Sequence, residues 1–444
     1  MPAPVNDSNR RRTALSRVVT RIVLSGWLAA AAAVGARAQA PTLTLDEAVR
    51  LALAGNRDLA LAAQEVEKAA QAVDVAKTAK KPRFNVSFFE PVVFTNLDFR
   101  LGPLGTLDLP HNFAFAIGSA TQPISQLYDI GLGIKASGLS KDLASERLRA
   151  ARQTVVDEIK RGYYGLLRAE SGLKASREAL GLLTEAERVV DALVIERAAL
   201  KGDLLDVQSR RARQEHELLV LEDLMATGRE RLNVALGRDP ETAFAVERLP
   251  LALPAESDLM VARAAILDRR PDVRQTRITI DLAKTDWQLK KAEQLPHVGA
   301  LFSYVGNINM PLLPGNIAAA VIQASWEPFD WGRKGYERAT KQLAIQQAET
   351  MARQLEATVA VELNARARGL KEARSLIAVT ELATQAAQER LRVMLDKRNE
   401  DAVLAKDLLQ AQVAVAEADH NYQAALLAYW EARADFEKAL AVEP

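Results

Sequence analysis

Apolar positions recur along the chain at two periods, and the changes between them mark out its elements. From Thr44 to Lys80 alanine and leucine return at helical spacing. Thr44 stands where an N-cap would and Glu47 completes a capping box three residues on, while Gly55-Asn56 marks a break. From Arg83 the period falls to two: Phe84, Val86 and Phe88 alternate with Asn85 and Ser87, and Phe113, Phe115 and Ile117 alternate with alanine and Gly118. Val298 to Tyr304 and Ile317 to Trp326 repeat this hairpin around Pro311, Pro314 and Gly315. The 33 residues from Gln294 to Trp326 contain no Asp, Glu, Lys or Arg. Glycine and proline punctuate that run where a membrane helix would be continuous, so it reads as two membrane-crossing strands.

Each such strand is about 9–11 residues, the length a tilted strand needs to cross a bilayer. Four strands cannot close a barrel, and an open sheet edge in lipid leaves its amides unpaired. Other subunits must complete the sheet, and three chains would supply twelve strands. Two hairpins packed on a soluble domain are the alternative, which leaves unexplained why so few polar side chains face either way. Beyond the strands the rhythm becomes that of a coiled coil: Ile159, Leu166, Leu173 and Leu180 recur every seven residues. Gly133 to Ala199 as one helix would run ~100 Å. It is expected to reverse near Lys201-Gly202-Asp203, with Gly202 as the turn, and its counterpart near Asp396 to Asp401.

Prolines expose a duplication. None occurs between Pro123 and Pro240, nor between Pro328 and Pro444, which leaves proline-free blocks of 116 and 115 residues. A shift of 214 places Asp58 on Asp272, Lys77 on Lys291, Pro82 on Pro296 and Phe88 on Phe302; a shift of 204 places Glu158 on Glu362 and Gly165 on Gly369. The expected organisation is a signal peptide at 1–38, a first repeat at 41–242, a linker at 243–256 and a second repeat at 257–444. The first repeat holds a helix, a β-hairpin at 83–122 and a long helical hairpin at 133–237. The second holds a helix, a β-hairpin at 297–327 and a helical hairpin at 333–441.

Composition and charge refine this picture. Hydrophobic residues are 49% of the 444 but aromatics only 5%, and seven of the eleven Phe lie between residues 83 and 123, so alanine fills the helices. Arg10, Arg11, Arg12, Arg17 and Arg21 precede an uncharged run from Ile22 to Ala36, with A-x-A sites ending at Ala38 and Ala40. That reads as an export signal, too short to span a bilayer comfortably as a permanent helix; an uncleaved anchor is the alternative. Removing 1–40 takes away six Arg and one Asp, leaving 52 Lys+Arg against 56 Asp+Glu, a net of −4. No charge excess recommends a nucleic-acid partner. Absence of cysteine removes disulfides, thiolate metal sites, Cys nucleophiles and an N-terminal lipid carried on Cys. The four His residues, His111, His216, His297 and His420, form no metal motif, paired carboxylates sit in helical charge patterns, and no phosphate-binding loop motif occurs. The reading is not an enzyme and carries no cofactor.

Several segments together resemble the TolC-type outer-membrane efflux protein family. They are Leu45-Asp46-Glu47-Ala48, Gln122-Pro123, Asp206-Val207-Gln208, Arg270-Pro271-Asp272-Val273, Glu327-Pro328-Phe329-Asp330-Trp331-Gly332 and Asp407-Leu408-Leu409-Gln410-Ala411-Gln412. Their order and duplication span nearly the whole mature chain. The resemblance implies a mainly α fold with a small β part: a homotrimer with a 12-stranded transmembrane β-barrel in outer-membrane lipid, continued by an α-helical coiled-coil periplasmic tunnel. It further implies a periplasmic adaptor protein and an inner-membrane transporter of RND, ABC or MFS type as partners.

The same resemblance places a narrowed periplasmic entrance at Asp206 and Asp407, where a ring of like charges would favour cations. A further aspartate of the family is replaced here by Gln410, and its tyrosine and glycine before the second tip by Arg398 and Asp401. One expectation is an Arg398 bridge to Asp206 on the neighbouring hairpin; a solvated Arg398 is the other. Leu200, Gly202, Asp203, Leu204 and Leu205 at the first tip, with Asn399, Glu400 and Asp401 at the second, are candidates for adaptor docking, unless the leucines only close the hairpin. Three classes stay open: an exit duct for efflux or type I secretion, a periplasmic adaptor, and a coiled-coil surface scaffold.

Overall fold

The computed structural model describes residues 41–95, 98–100, 106–108, 110, 112–249, 253–254, 263–309, 314–399 and 405–442, without the side chains of 98–100, 106–108, 263–265, 398–399, 405–407 and 409. The expected export signal, Pro311, and Glu400 and Asp401 of the expected second tip lie outside these residues.

Strand β1 (Thr42–Leu43) leads into α1 (Leu45–Gly55), where Thr44 Oγ1 accepts the Glu47 N–H at 3.1 Å. Asn56 both ends α1 and starts α2 (Arg57–Thr78): its Oδ1 accepts the N–H groups of Asp58 and Leu59, satisfying two orphan donors at the break. Strand β2 (Arg83–Phe89), the short pair β3 (Asp98–Arg100) and β4 (Thr106–Asp108), and β5 (Ala114–Pro123) follow. Helix α3 (Leu127–Ile195) then runs 69 residues, about 100 Å, and α4 (Lys201–Ala235) returns along it. The second half repeats the plan after β6 (Ala245–Val246). Its elements are α5 (Arg263–Arg269), α6 (Pro271–Ala292), β7 (His297–Ile308), β8 (Asn316–Ser325), α7 (Arg333–Asn399) and α8 (Ala405–Ala439).

Both halves bury the same frame. At a shift of 204, Val155 and Val359, Ile159 and Leu363, Leu166 and Leu370, Leu173 and Ile377, Met225 and Tyr429, Leu232 and Phe436, and Leu236 and Leu440 are buried in both members. The heptad positions are therefore the seams of two antiparallel helix pairs, α3 with α4 and α7 with α8, joined through α3 and α8. Gly228 lets the first pair close tightly, since a Cβ there would stand 2.8 Å from Leu166 Cδ2.

Two expectations are corrected. Helix α3 begins at Leu127, not 133, because Ser125 pins its start: Ser125 Oγ donates to the Pro296 carbonyl at 2.8 Å and accepts the Val298 N–H at 2.7 Å, tying the helix to β7. The first reversal spans 196–200, with Arg197 at φ 61°, and Gly202 lies inside the first turn of α4. Asp203 fixes that start by accepting the Leu200 N–H at 3.0 Å. Within the expected linker 243–256, Phe244 is buried and β6 pairs in parallel with β1.

That small sheet marks an equator. The buried Tyr163 hydroxyl lies 2.8 Å from the carbonyls of Leu43 and Glu247, to either of which it donates, and accepts the Glu247 N–H at 2.9 Å. Burial pushes this phenol up to about 12.

Candidate functional site

Strands β2, β5, β7 and β8 form one antiparallel sheet in that order, leaving β2 and β8 as open edges. Paired residues share a face, so the register sorts the side chains. One face carries Phe84, Val86, Phe88, Phe302, Ile308 and Ile322 among alanines and glycines, with Gln122, Tyr304 and Asn316; the other carries Asn85, Ser87, Ser119, Thr121, Ser303 and Gln323 interspersed with Phe89, Phe115, Ile117, Leu301, Val305, Ile317 and Val321. A nearly uninterrupted apolar face opposite one that carries most of the sheet's polar side chains suits lipid on one side and water on the other. Among the described residues no helix is long and apolar enough to cross a membrane.

Below the sheet, the Glu327-to-Gly332 segment turns the chain into α7. Trp331 and Gly332 take φ 56° and 86°, and Asp330 accepts the N–H groups of Gly332 at 3.1 Å and Lys334 at 2.8 Å. Those backbone bonds, that to Lys334 first, hold the Asp330 carboxyl below its ordinary value. Phe329 and Trp331 meet edge to face at 4.8 Å, both exposed, and Trp326 and Tyr336 are exposed nearby in sequence. Aromatic side chains at the foot of an apolar sheet suit a membrane-water boundary.

At the equator the two halves are joined by ion pairs between α3 and α8. Asp157 receives Arg161 at 3.1 Å and Lys438 at 2.9 Å; Glu437 receives Lys160 at 2.8 Å and Arg433 at 2.9 Å; Asp435 receives Arg161 and, from α7, Arg366 at 2.6 Å. Burial works to raise the Glu437 carboxyl, but hydrogen bonds from Lys160 and Arg433 outweigh it and leave it below its ordinary value. Arg270 of the Arg-Pro-Asp element is a similar junction, bonded to Asp272, Glu362 and the Ala439 carbonyl. Sequence reasoning noted Arg270 only as a motif and missed the α3–α8 pairs, whose partners lie more than 260 positions apart.

At the far end, Asp206 and Gln410 line one groove of about 1790 Å³ between α3, α4 and α8, together with Arg210, Gln214, Glu417 and His420. Asp206 is bridged to Arg210 of its own helix at 2.9 Å. Arg398 and Asn399 end α7 and Asp407 lies in the first turn of α8, but their side chains, like all of Glu400 and Asp401, are outside the described residues. Leu200 is 75% exposed and Leu205 55%, with Leu204 half-buried between them; Gly202 is exposed, and Asp203 is engaged as a cap.

An open four-stranded sheet continued by two long helical hairpins is also the fold of several solved outer-membrane proteins. The chain has that fold. It superimposes on the Campylobacter jejuni CmeC outer membrane channel with a TM-score of 0.78 at 16% identity, covering 89% of this chain and 85% of that one. The outer-membrane channel OprN gives 0.75 at 17% identity over 90% of each chain, and the Vibrio cholerae outer membrane protein VceC gives 0.74 at 15% over 89% and 96%. No protein-family model matches the sequence, and no curated protein matches it.

Proposed function

We propose that this chain is the outer-membrane component of a tripartite efflux or type I secretion system, a passive duct of TolC type that carries substrates from the periplasm to the exterior. The observation that carries the reading is the sheet: one face almost wholly apolar, the other holding most of the polar side chains, and both edges unpaired. Three copies joined β8 to β2 would close twelve strands into a barrel whose apolar face meets outer-membrane lipid. Exposed apolar residues on α4 (Leu219, Leu224) and α7 (Leu343, Met351, Val379, Leu382) support a matching contact below, where α4 of one copy packs on α7 of the next. The duct needs no cofactor and no catalytic step; energy comes from an inner-membrane transporter of RND, ABC or MFS type.

The exposed Leu200 and Leu205 beside half-buried Leu204 support docking of a periplasmic adaptor at the first tip, with Asn399, Glu400 and Asp401 forming the second tip. Asp206, Gln410 and Asp407 are assigned to the entrance, and Arg398 to its closure. The test is conductance: protein purified from outer membranes and added to planar lipid bilayers should open discrete ion channels. A preparation that remains folded and trimeric yet never conducts would overturn the duct.

A further inference from the structure

We infer that Arg83 sets the charge preference of the barrel lumen. The inference rests on the channel reading above. Among β2, β5, β7 and β8, Arg83 is the single Asp, Glu, Lys or Arg. The register assigns its face: Arg83 pairs with Thr121, which pairs with Leu301, and the same face holds Asn85, Ser87, Ser119 and Ser303 among Phe89, Phe115, Ile117 and Val305, and carries most of the sheet's polar side chains. Phe84, Val86 and Phe88 occupy the opposite, lipid-facing side. Arg83 therefore belongs to the water-facing side of the sheet, at the end next to the helices.

The guanidinium is exposed and has no ion-pair partner among the described residues. The first charges of the second repeat's junction are treated differently: Lys290 is held by Glu293 and Glu337, and Arg333 by Glu327 and Glu337. At the position equivalent to Arg83 the second repeat has His297, on the same face and at the same end of β7. Threefold assembly turns one unpaired Arg83 into a ring of three cations where the tunnel enters the barrel. Such a ring attracts anionic solutes and repels cationic ones, opposing the acids assigned to the periplasmic mouth.

The chain has no cysteine, so a single thiol can carry a chosen charge at this position without background labelling. Arg83→Cys trimers in planar bilayers under a salt gradient are to be measured before and after labelling with an ammonium-bearing and a sulfonate-bearing methanethiosulfonate. Three charges acting across a partly screened lumen should change the cation-to-anion permeability ratio roughly two- to threefold. Arg83→Cys should raise the ratio, the ammonium label should restore the wild-type value, and the sulfonate label should raise it further. Channels that conduct normally and are fully labelled by mass, yet keep one ratio throughout, would overturn the role of Arg83 and leave the duct standing. Folded trimers without any conductance would overturn both.

Discussion

Asp206 and Arg210 stand one helical turn apart on α4 with Oδ2 and a guanidinium nitrogen 2.9 Å apart, so the acid proposed for the entrance is countered within its own helix. Both side chains are 61% exposed, and a pair in that setting contributes little stability, about 0–1 kcal/mol. Its consequence is electrostatic. Arg210→Ala should leave the melting temperature of the trimer within about 2 °C while raising cation preference in bilayers. Asp206→Asn should lower that preference. Equal permeability in the two variants would remove Asp206 from the conduction path.

Tyr163 joins the middle of α3 to β1 and to the start of the chain's second half. In Tyr163→Phe the Glu247 N–H keeps the Leu43 carbonyl at 3.1 Å, so the change removes only the hydroxyl's own bonds and should cost about 0.5–1.5 kcal/mol. Urea unfolding of detergent-solubilised protein, followed by far-UV circular dichroism, checks this; a midpoint equal to wild type would show that water replaces the hydroxyl.

Gly237 follows α4 at φ 74°, and a Cβ there would lie 2.1 Å from the Gly55 carbonyl oxygen. The obstacle is backbone, held in place by Asn56, whose Nδ2 donates to the Ala235 carbonyl at 2.8 Å. Gly237→Ala should therefore be among the most damaging single substitutions, costing about 3 kcal/mol or more from strain and clash together. Gly202→Ala, in open space inside a helix, should instead be neutral or slightly stabilising. The same unfolding experiment compares them.

Glu437 gives the equator a pH dependence. Its folded carboxyl titrates below the unfolded value near 4.5, so the folded state favours the ionised form. That contribution is fully present above 4.5 and is lost as the pH falls through the lower folded value. Glu437→Gln should be less stable than wild type at pH 7, and the gap should narrow progressively below pH 4.5. A gap that stays constant down to pH 3 would contradict the assignment.

At the tip, Leu200→Asp with Leu205→Asp should leave trimers and channels intact and abolish pump-dependent drug resistance. Unchanged resistance would separate these leucines from adaptor docking.

Much of the fold was legible in local pattern. Thr44 and Glu47 signalled a cap, the alternation of Phe84, Val86 and Phe88 signalled a strand, and the seven-residue spacing from Ile159 to Leu180 signalled a packed helix seam. Each is a short-range regularity imposed by helix or strand geometry. The turn at 196–200 was misplaced because glycine is only one route to a reversal: here Arg197 adopts positive φ and the Asp203 carboxylate caps the next helix. Leu127 was missed as a helix start because its pin, Ser125, works through Pro296 and Val298, which are 171 and 173 positions away. Asp206 was singled out only by family resemblance, and its pairing with Arg210 depends on rotamers that spacing permits and does not dictate.

The central claim is that one chain supplies a third of a barrel and cannot exist in the membrane alone. Native mass spectrometry of protein extracted from purified outer membranes tests it most directly. The account predicts a species of three mature chains that survives in SDS until boiled; a monomer, a dimer, or recovery in the soluble or inner-membrane fraction would contradict it.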